Sequence, residues 1–561
     1  MKIPALIILF LIYAFAGCPL SPCQATMDAA ELEQLKSIVR SQQNLLNQQQ
    51  AEIQALQLSL AEQKQILAGI VQPHTEGGKP VPAVTEQNVG YHFSPATRTQ
   101  TSENQAAPVD QEPPLSEQEK VAEELQRGPE IADITPDTPA LKLGPAKVRL
   151  LGYPAMTTLW RSTNSGGNVG TNFANLPFNN TVPGTTSEFR VSAQSTRLAL
   201  RVDTDLASSN AAGYFEMDFG GAPNAGNIAV TASSYTFRIR QAWFDWGKGR
   251  WELTGGQLFS LMTPNKKDLL PWPGDVAVTQ AIDINSVAGL VWGRYPQFRV
   301  VYHASKQTAF GFSAENPEQQ VGNNVVFPSA LSSILTTQYN TGGNELSVPN
   351  MTPDFVVKGS FDGRFDGDRA VHFDVGAVVR TFRSWSGTQV SGKDYAFGSG
   401  VGANFNVDVV KGARLVMDGF ASDGAGRYIG GLAPDVIVKA NGSISPIHSY
   451  SWVSGFEIAP NKITGLYAYY SGLYAQKNAT LNSNGSCCVG FGYPGANTNA
   501  DRLIEEATTG YSRVFWKYEN IGSMQWGVQY AYAWLYPWVA GNGPNSAHAN
   551  MLFGQVRYNL P

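Results

Sequence analysis

The sequence predicts an all-β transmembrane barrel of about 16 antiparallel strands, preceded by an N-terminal α-helical coiled coil. Three observations lead to this fold: an apolar leader, an unbroken heptad repeat after it, and apolar residues with a period of two over 144–561. The composition agrees, because Gly (56 residues) and aromatic residues (11%) are abundant and only 15% of residues are charged. This mixture is typical of strands with one apolar and one polar face.

The first 25 residues are typical of a signal peptide. Lys2 precedes an uncharged apolar run over 3–16, which is too short to cross a bilayer as a helix. Cys23-Gln24-Ala25 offers small residues where a signal peptidase cleaves, so we expect residues 1–25 to be removed. The alternative is a lipoprotein box ending at an acylated Cys18, but a barrel spans the membrane without a lipid anchor.

Residues 28–71 carry the clearest helical pattern. Apolar residues recur every seven positions, at Leu32, Val39, Leu46, Ile53, Leu60 and Leu67. The positions three residues later hold Leu35, Leu56 and Ile70, with Gln42, Gln49 and Gln63 in the same column. This stripe predicts a parallel coiled coil in the periplasm that joins identical chains, and buried Gln is compatible with a homotrimer.

A linker follows the heptads. Residues 72–143 are dominated by Pro, Glu, Gln, Thr and Ser, with too few apolar residues to form a core. We interpret this segment as a periplasmic linker. The sequence leaves open that it threads into the barrel as a plug.

Residues 525–534 show the period of two most clearly. Large apolar and aromatic side chains share one face: Trp526, Val528, Tyr530, Tyr532 and Trp534. Small or polar residues share the other: Gln525, Gly527, Gln529, Ala531 and Ala533. Lipid outside and water inside require this arrangement, and a sheet in hydrocarbon must close on itself to pair its edges. At roughly ten residues per strand, 144–561 accommodates about sixteen strands around an aqueous channel.

Four stretches rich in Gly, Pro, Asn and Ser are predicted to be extracellular loops: 262–288, 314–352, 421–447 and 474–503. One of them is expected to fold inward and constrict the pore. The candidate is 262–288, because it carries Lys266, Lys267 and Asp268.

Cations on the polar phase of the strands are the candidate pore-lining residues. They are Arg197, Arg201, Arg238, Arg240, Arg299, Arg380, Arg513 and Lys517. A ladder of guanidinium groups in a narrow passage attracts anions and binds carboxylate or phosphate in bidentate fashion. The competing interpretation is that these cations pair with acids of neighbouring strands, such as Glu216 and Asp218.

Other function classes find little support in the sequence. No GxSxG, HExxH or P-loop motif is present, and the six His residues do not cluster at ligand spacing, so we expect neither an enzyme nor a metal site nor a cofactor. A net charge of −5 argues against nucleic-acid binding. Cys487 and Cys488 are predicted to form a local disulfide in a surface loop.

Five segments resemble the DcaP-like family of trimeric outer-membrane porins. They read STRLALRVDTDL (195–206), GYFEMDFGG (213–221), FRIRQAWFDW (237–246), WELTGGQLFSLMTP (251–264) and GRYPQFRVVY (293–302). The residues shared with the family are Arg197, Arg201, Glu216, Asp218, Arg238, Arg240, Gly256 and Gln257. The chain departs from the family at Phe259, where Trp is usual, and at Pro561, where an aromatic residue is usual.

The resemblance implies a 16-stranded homotrimer in the bacterial outer membrane that passes small anions, with dicarboxylates as type substrates, through an arginine-lined constriction. The expected function is therefore a porin for small, anionic solutes. Two alternatives remain at this point: a porin selective for phosphate or sugars, and a tether or adhesin whose coiled coil binds peptidoglycan. The expected partners are identical chains, outer-membrane lipid and the solute.

Overall fold

The computed structural model describes residues 139–561 with short gaps. The gaps are residues 166–167, 207–208, 223–234, 270, 273–275, 279–280, 323, 343–346, 349, 366–368, 388–391, 494–499, 519 and 540–543. The predicted signal peptide, the coiled coil and nearly all of the linker lie outside the described residues. The first strand begins at Leu141, within the last residues assigned to the linker.

Antiparallel strands make up most of the described chain. The first twelve are β1 (Leu141–Leu143), β2 (Ala146–Tyr153), β3 (Ala155–Arg161), β4 (Glu188–Ser192), β5 (Arg197–Leu206), β6 (Ser209–Asp218), β7 (Arg238–Lys248), β8 (Trp251–Phe259), β9 (Arg294–His303), β10 (Thr308–Glu315), β11 (Asp354–Phe365) and β12 (Arg369–Trp385). The others are β13 (Lys393–Val410), β14 (Ala413–Asp423), β15 (Val436–Val438), β16 (Ile444–Pro446), β17 (His448–Asn461), β18 (Thr464–Ala475), β19 (Asn478–Leu481), β20 (Cys487–Phe491), β21 (Asp501–Tyr518), β22 (Gly522–Pro537) and β23 (Ala547–Asn559).

Helical structure in the described part is confined to single turns. The α-helical turns are α1 (Val182–Thr185) and α2 (Ser332–Leu335), and the 3₁₀ turns are Phe173–Asn175 and Gly426–Tyr428. No helix among the described residues has the length and apolar character needed to cross a membrane.

Nineteen strands form one sheet, while β15–β16 and β19–β20 are separate hairpins. From β5 onward each strand of the large sheet pairs with the next one along the chain. The last strand, β23, pairs with β3, and Met551 lies opposite Arg161. Beyond that ladder the Tyr558 N–H donates to the Pro154 carbonyl (3.1 Å) and the Leu560 N–H to the Gly152 carbonyl (2.9 Å). The end of the chain is therefore hydrogen-bonded to its first long strands.

The sheet has an apolar and a polar face, as β22 shows. Trp526, Val528 and Tyr530 are 38–43% exposed, whereas Gln529 and Ala531 are at most 1% exposed. The alternation predicted for this segment is confirmed. We call the face of the exposed aromatic and apolar side chains the outer face, and the opposite, buried face the inner face.

Long and short connections lie at opposite ends of the strands, because successive strands are antiparallel. One end has short turns such as 249–250 and 411–412, and the other has long connections. Four of these long connections, 260–293, 316–353, 424–447 and 476–500, match the four stretches that the sequence predicts as loops to within a few residues.

Gly256 illustrates how closely β7 and β8 approach. Its φ is +134°, and a Cβ there would lie 2.2 Å from the Ala242 carbonyl oxygen. A side chain would therefore both strain the backbone and displace β7. We expect Gly256→Ala to lower the free energy of unfolding by about 1–3 kcal/mol, measured as unfolding temperature in detergent. Gly213→Ala is the control, because nothing lies within 4 Å of that Cβ position; equal effects would contradict the prediction.

Candidate functional site

The connection 260–293, which we call the inner loop, lies against the inner face. The Asn265 carbonyl accepts hydrogen bonds from Asn404 Nδ2 (2.7 Å) and Asn406 Nδ2 (2.8 Å) on β13. On the opposite wall the Ile282 N–H donates to Gln529 Oε1 (2.7 Å). Amides of two distant strands thus hold the two halves of the loop.

The three residues proposed for the constriction have different environments. Lys266 is half-buried and Lys267 is exposed. Asp268 is buried: its N–H donates to Asp362 Oδ2 (2.9 Å) and its Oδ2 lies 3.5 Å from His303 Nδ1. Burial raises the pKa of the Asp268 carboxyl, although His303 opposes this shift. Asp268 therefore fastens the loop to β9 and β11, and none of the three residues lines the cavity described next.

A cavity of about 160 Å³ lies between the inner loop and the sheet. Its charged lining residues are Arg197, Asp218, Arg240, Asp283 and Arg557. The inner loop contributes the apolar side, with Val276, Val278, Ile282, Ile284 and Leu290. The cavity thus has a cationic wall on the strands that faces an apolar loop.

The cationic wall is built on two acids of β6. Arg240 donates to Glu216 Oε1 through Nε (2.5 Å) and to Asp218 Oδ2 through a terminal nitrogen (2.8 Å). Arg238 forms two hydrogen bonds with Asp218, of 3.0 and 2.8 Å. Arg197 Nε lies 3.9 Å from Glu216. Three arginines share two carboxylates, so their charge is only partly compensated, and the hydrogen bonds fix the direction of the Arg238 and Arg240 guanidinium groups.

Arg557, on β23, is a cavity cation that the sequence reasoning missed. Its Nε donates to Gln525 Oε1 (2.9 Å), and no carboxylate lies within 4 Å of it in the described part of the chain. Both Arg557 and Arg197 approach the Tyr153 ring, with guanidinium carbons 4.8 and 5.6 Å from its centroid. The alternation of Leu552 and Val556 with Gln555 on the last strand was the signal that could have placed Arg557 on the inner face.

Asp283 is the acidic residue of the inner loop that lines the cavity. Its Oδ1 accepts hydrogen bonds from the N–H groups of Thr171 (3.1 Å) and Asn285 (2.9 Å). Burial nevertheless raises the pKa of this carboxyl.

Two predicted pore arginines instead support the inner loop. Arg201 pairs with Asp203 (2.8 Å), and its guanidinium lies 3.9 Å from the centroid of the Trp272 ring. Arg299 donates to the carbonyls of Phe259 (2.6 Å) and Leu269 (3.3 Å) at the beginning of the loop. Both side chains are on the inner face, as predicted, but neither lines the cavity.

Arg380 lies in a fully buried ionic network beneath the long connections. It pairs with Asp354 (2.9 Å) and Asp435 (2.8 Å) and donates to the carbonyls of Gly424 (3.0 Å) and Glu318 (2.6 Å). All of its charge is matched locally. Its position indicates a structural role, in agreement with the interpretation that inner-face arginines pair with acids.

The inward orientation predicted for Arg513 is wrong. Arg513 lies opposite Trp526, on the outer face, because directly opposed residues of an antiparallel pair share a face. The register of β21 and β22 shifts between Val514 and Trp516, so a bulge reverses the alternation there. Lys517, beyond the bulge, lies opposite Ser523 and has the alternation of the inner face. Its side chain is exposed at the short-turn end of the strand.

The two remaining residues shared with the DcaP-like family act on the backbone. Gly256 allows β7 and β8 to approach, as described above. Gln257 Nε2 donates to the carbonyls of Ile239 and Arg240, each at 3.3 Å. Gln257 therefore helps to hold the strand that presents Arg240.

The histidine and cysteine residues that could serve catalysis or metal binding make structural contacts instead. His372 bridges Asp362 (2.9 Å) and Asp374 (3.0 Å) on the inner face. Cys487 and Cys488 form a disulfide at the start of β20. Among the described residues, no group of three or more His, Cys, Asp or Glu side chains is arranged to hold a metal ion.

Several solved structures have a similar fold. The outer membrane channel DcaP of Acinetobacter baumannii is 18% identical over 75% of this chain and 99% of its own, with a TM-score of 0.54. The chain has the fold of this channel. The resemblance to DcaP-like porins that the sequence motifs indicate is thus confirmed at the level of the fold.

Looser similarities also concern porins. The anion-selective porin from Comamonas acidovorans is 11% identical over 74% of this chain and 100% of its own (TM-score 0.41). OprB from Pseudomonas putida is 13% identical over 73% of this chain and 94% of its own, with a TM-score of 0.39. No protein-family profile matches the chain, and no curated protein is similar to it in sequence.

The amides that hold the inner loop provide a test of its anchoring. Replacing Asn404 and Asn406 together by Ala leaves the Asn265 carbonyl without its two donors, at a cost of about 1 kcal/mol for each hydrogen bond. We expect the loop to fluctuate more and the open-channel current noise in planar bilayers to increase. Ser399→Ala, on the outer face of the same strand, should leave the noise unchanged. Equal noise in both variants would contradict the anchoring.

Proposed function

We propose that the chain is an outer-membrane porin through which small anionic solutes diffuse passively. The observation that carries this proposal is the cavity beneath the inner loop, where Arg197, Arg240 and Arg557 face an apolar loop segment. The inner face around it is polar and the outer face is apolar, which is the distribution that a water-filled barrel in lipid requires.

The proposed barrel has sixteen strands. β2 continues into β3 through Pro154, and β4 continues into β5 within a few residues, so each pair counts as one wall strand. With β6–β14, β17, β18 and β21–β23, and without the short β1, the wall then has about sixteen strands, wide enough for an aqueous channel. The hydrogen bonds from β23 to Pro154 and Gly152 support closure.

The selectivity for anions follows from the charges that remain after pairing. Around Glu216 and Asp218, three guanidinium groups share two carboxylates, and Arg557 adds a cation with a neutral partner. Asp283, on the inner loop, offsets part of this charge. A partly desolvated cationic wall raises the local concentration of anions and lowers that of cations.

The DcaP-like family and a homotrimer are part of the same proposal. The sequence motifs and the fold support this family, and the heptad repeat of residues 32–67 provides a means for identical chains to associate. The mass of the detergent-solubilised complex tests the trimer. A complex of one chain would contradict it.

Uptake into liposomes tests the selectivity with two solutes of similar length. Succinate and putrescine both have four-carbon chains but carry opposite charges at neutral pH. We expect liposomes that contain the protein to take up succinate several-fold faster than putrescine. Faster entry of putrescine would contradict the arginine argument, and entry of neither would favour the tether hypothesis. Faster entry of phosphate than of succinate would favour a phosphate porin.

A further inference from the structure

Two pairs of cations and aromatic rings lie on the outer face where β12 and β13 reach their long-connection ends. Arg383 lies opposite Tyr395, and Lys393 lies opposite Trp385. All four side chains are exposed. Directly opposed side chains of an antiparallel pair are about 5 Å apart at Cβ, so the two cations and two rings form one patch. Neither cation has a carboxylate within 4 Å in the described part of the chain.

A second patch of two cations and two rings lies at the corresponding ends of β18, β21 and β22, where Lys477 is exposed and Arg502, Tyr536 and Trp538 are half-buried. The Arg502 guanidinium carbon lies 5.8 Å from the centroid of the Trp538 ring and 6.0 Å from that of Tyr536. Lys477 Nζ lies 5.7 Å from the Trp538 centroid. The indole N–H of Trp538 donates to the Ala475 carbonyl (2.9 Å), which fixes the ring between the two cations. No described carboxylate pairs with Lys477 or Arg502 within 4 Å.

The acid between the two patches already has a partner. Asp423, at the end of β14, lies 3.2 Å from His448 Nδ1 on the neighbouring strand β17. It therefore does not neutralise either patch. The four cations, of which Arg383, Lys393 and Lys477 are exposed and Arg502 is half-buried, therefore remain available to a negatively charged ligand.

The position of the patches in the barrel wall indicates which kind of ligand they can bind. Aromatic side chains mark the level at which a barrel wall passes from hydrocarbon to head groups, and long loops mark the external side. A cation at this level on the outer face meets lipid head groups and not the channel. Arg and Lys bind phosphate by charge-assisted hydrogen bonds, and rings beside them cover the neighbouring lipid surface.

We propose that these two patches, Arg383–Trp385–Lys393–Tyr395 and Lys477–Arg502–Tyr536–Trp538, bind phosphate groups of the phosphorylated glycolipid in the outer leaflet. The inference rests on the proposed barrel and its orientation in the outer membrane, but not on solute selectivity. Two such sites on different sectors of the wall bind lipid molecules separately, so each patch can be tested by itself.

The experiment measures organic phosphate per chain in protein extracted from outer membranes with mild detergent. The variants are Arg383→Ala with Lys393→Ala, Lys477→Ala with Arg502→Ala, and all four together. The control removes two exposed cations at the short-turn end, Lys248→Ala with Lys306→Ala. Because each basic residue contributes about 1 kcal/mol to binding an anionic head group, we expect each double variant to lose about half of the phosphate bound per chain and the fourfold variant to lose most of it. Unchanged phosphate in the fourfold variant, or equal loss in the control, would overturn the proposal.

A second measurement distinguishes a lipid from a free anion. Vesicles of the phosphorylated glycolipid should raise the unfolding temperature of delipidated protein and not that of the fourfold variant, whereas inorganic phosphate should have no such effect. Equal protection by inorganic phosphate would contradict a lipid site. Succinate uptake should be the same in the fourfold variant, because the patches lie outside the channel. Loss of lipid binding with intact uptake therefore separates this inference from the proposed function.

Discussion

Replacement of Arg557 by Ala should lower the ratio of chloride to potassium permeability roughly fivefold, because one unit charge at about 4 Å in a water-filled passage contributes about 1 kcal/mol. Among the described residues, the Arg557 side chain has Gln525 and the Tyr153 ring as its partners and no carboxylate, so its charge is available to a passing anion. The fold should tolerate the change, since no buried acid loses its partner. The permeability ratio in planar bilayers under a salt gradient measures the effect.

Lys462→Ala is the matched control for Arg557. Lys462 is an exposed cation in the turn between β17 and β18, at the short-turn end and outside the cavity lining. Its removal changes the net charge by the same amount. If both variants shift the permeability ratio equally, overall charge and not the cavity sets the selectivity.

Replacement of Arg380 by Met should have the largest effect on stability. The change removes the cation that Asp354 and Asp435 share, and both acids are fully buried. Asp435 then has no described ion pair, whereas Asp354 keeps Arg427 at 3.7 Å. A buried carboxylate that loses its partner costs about 3–5 kcal/mol. We expect a lower unfolding temperature in detergent, measured by the heat-dependent shift in electrophoretic mobility, and little change in ion selectivity.

The same substitution at Arg383 provides the comparison. Arg383 belongs to the same strand but is exposed on the outer face, with no described carboxylate partner. Arg383→Met should change the unfolding temperature in lipid-free detergent very little. A comparable loss at both positions would show that the buried network around Arg380 contributes no special stability.

Much of the fold could be predicted from the sequence because the two faces of the sheet meet different surroundings. The alternation in β22 and the four long connections follow directly from this difference. The bulge at 514–516 could not be predicted, because an extra residue in a strand leaves no signal in the composition. It reverses the orientation of every side chain beyond it. Arg513 was therefore assigned to the inner face when it lies on the outer one.

The candidate site was less predictable, because the sequence shows which arginines face inward but not which acids reach them. Arg380 and Arg201 are on the inner face as expected, yet Asp435 and Asp203 compensate their charge. Asp435 lies in a long connection, and only tertiary packing brings it to Arg380. Arg557 was missed for the opposite reason: apolar Met551 and Phe553 share its inner face, so the polar phase of β23 was hidden.

In the proposed porin, the wall of Arg197, Arg240 and Arg557 makes the channel favour anions. The most direct test is the reversal potential of the purified protein in a planar bilayer under a potassium chloride gradient. We expect a reversal potential with the sign of chloride selectivity, and a smaller one in Arg557→Ala. A conducting channel with a potassium-selective potential, or no conductance at all, would contradict it.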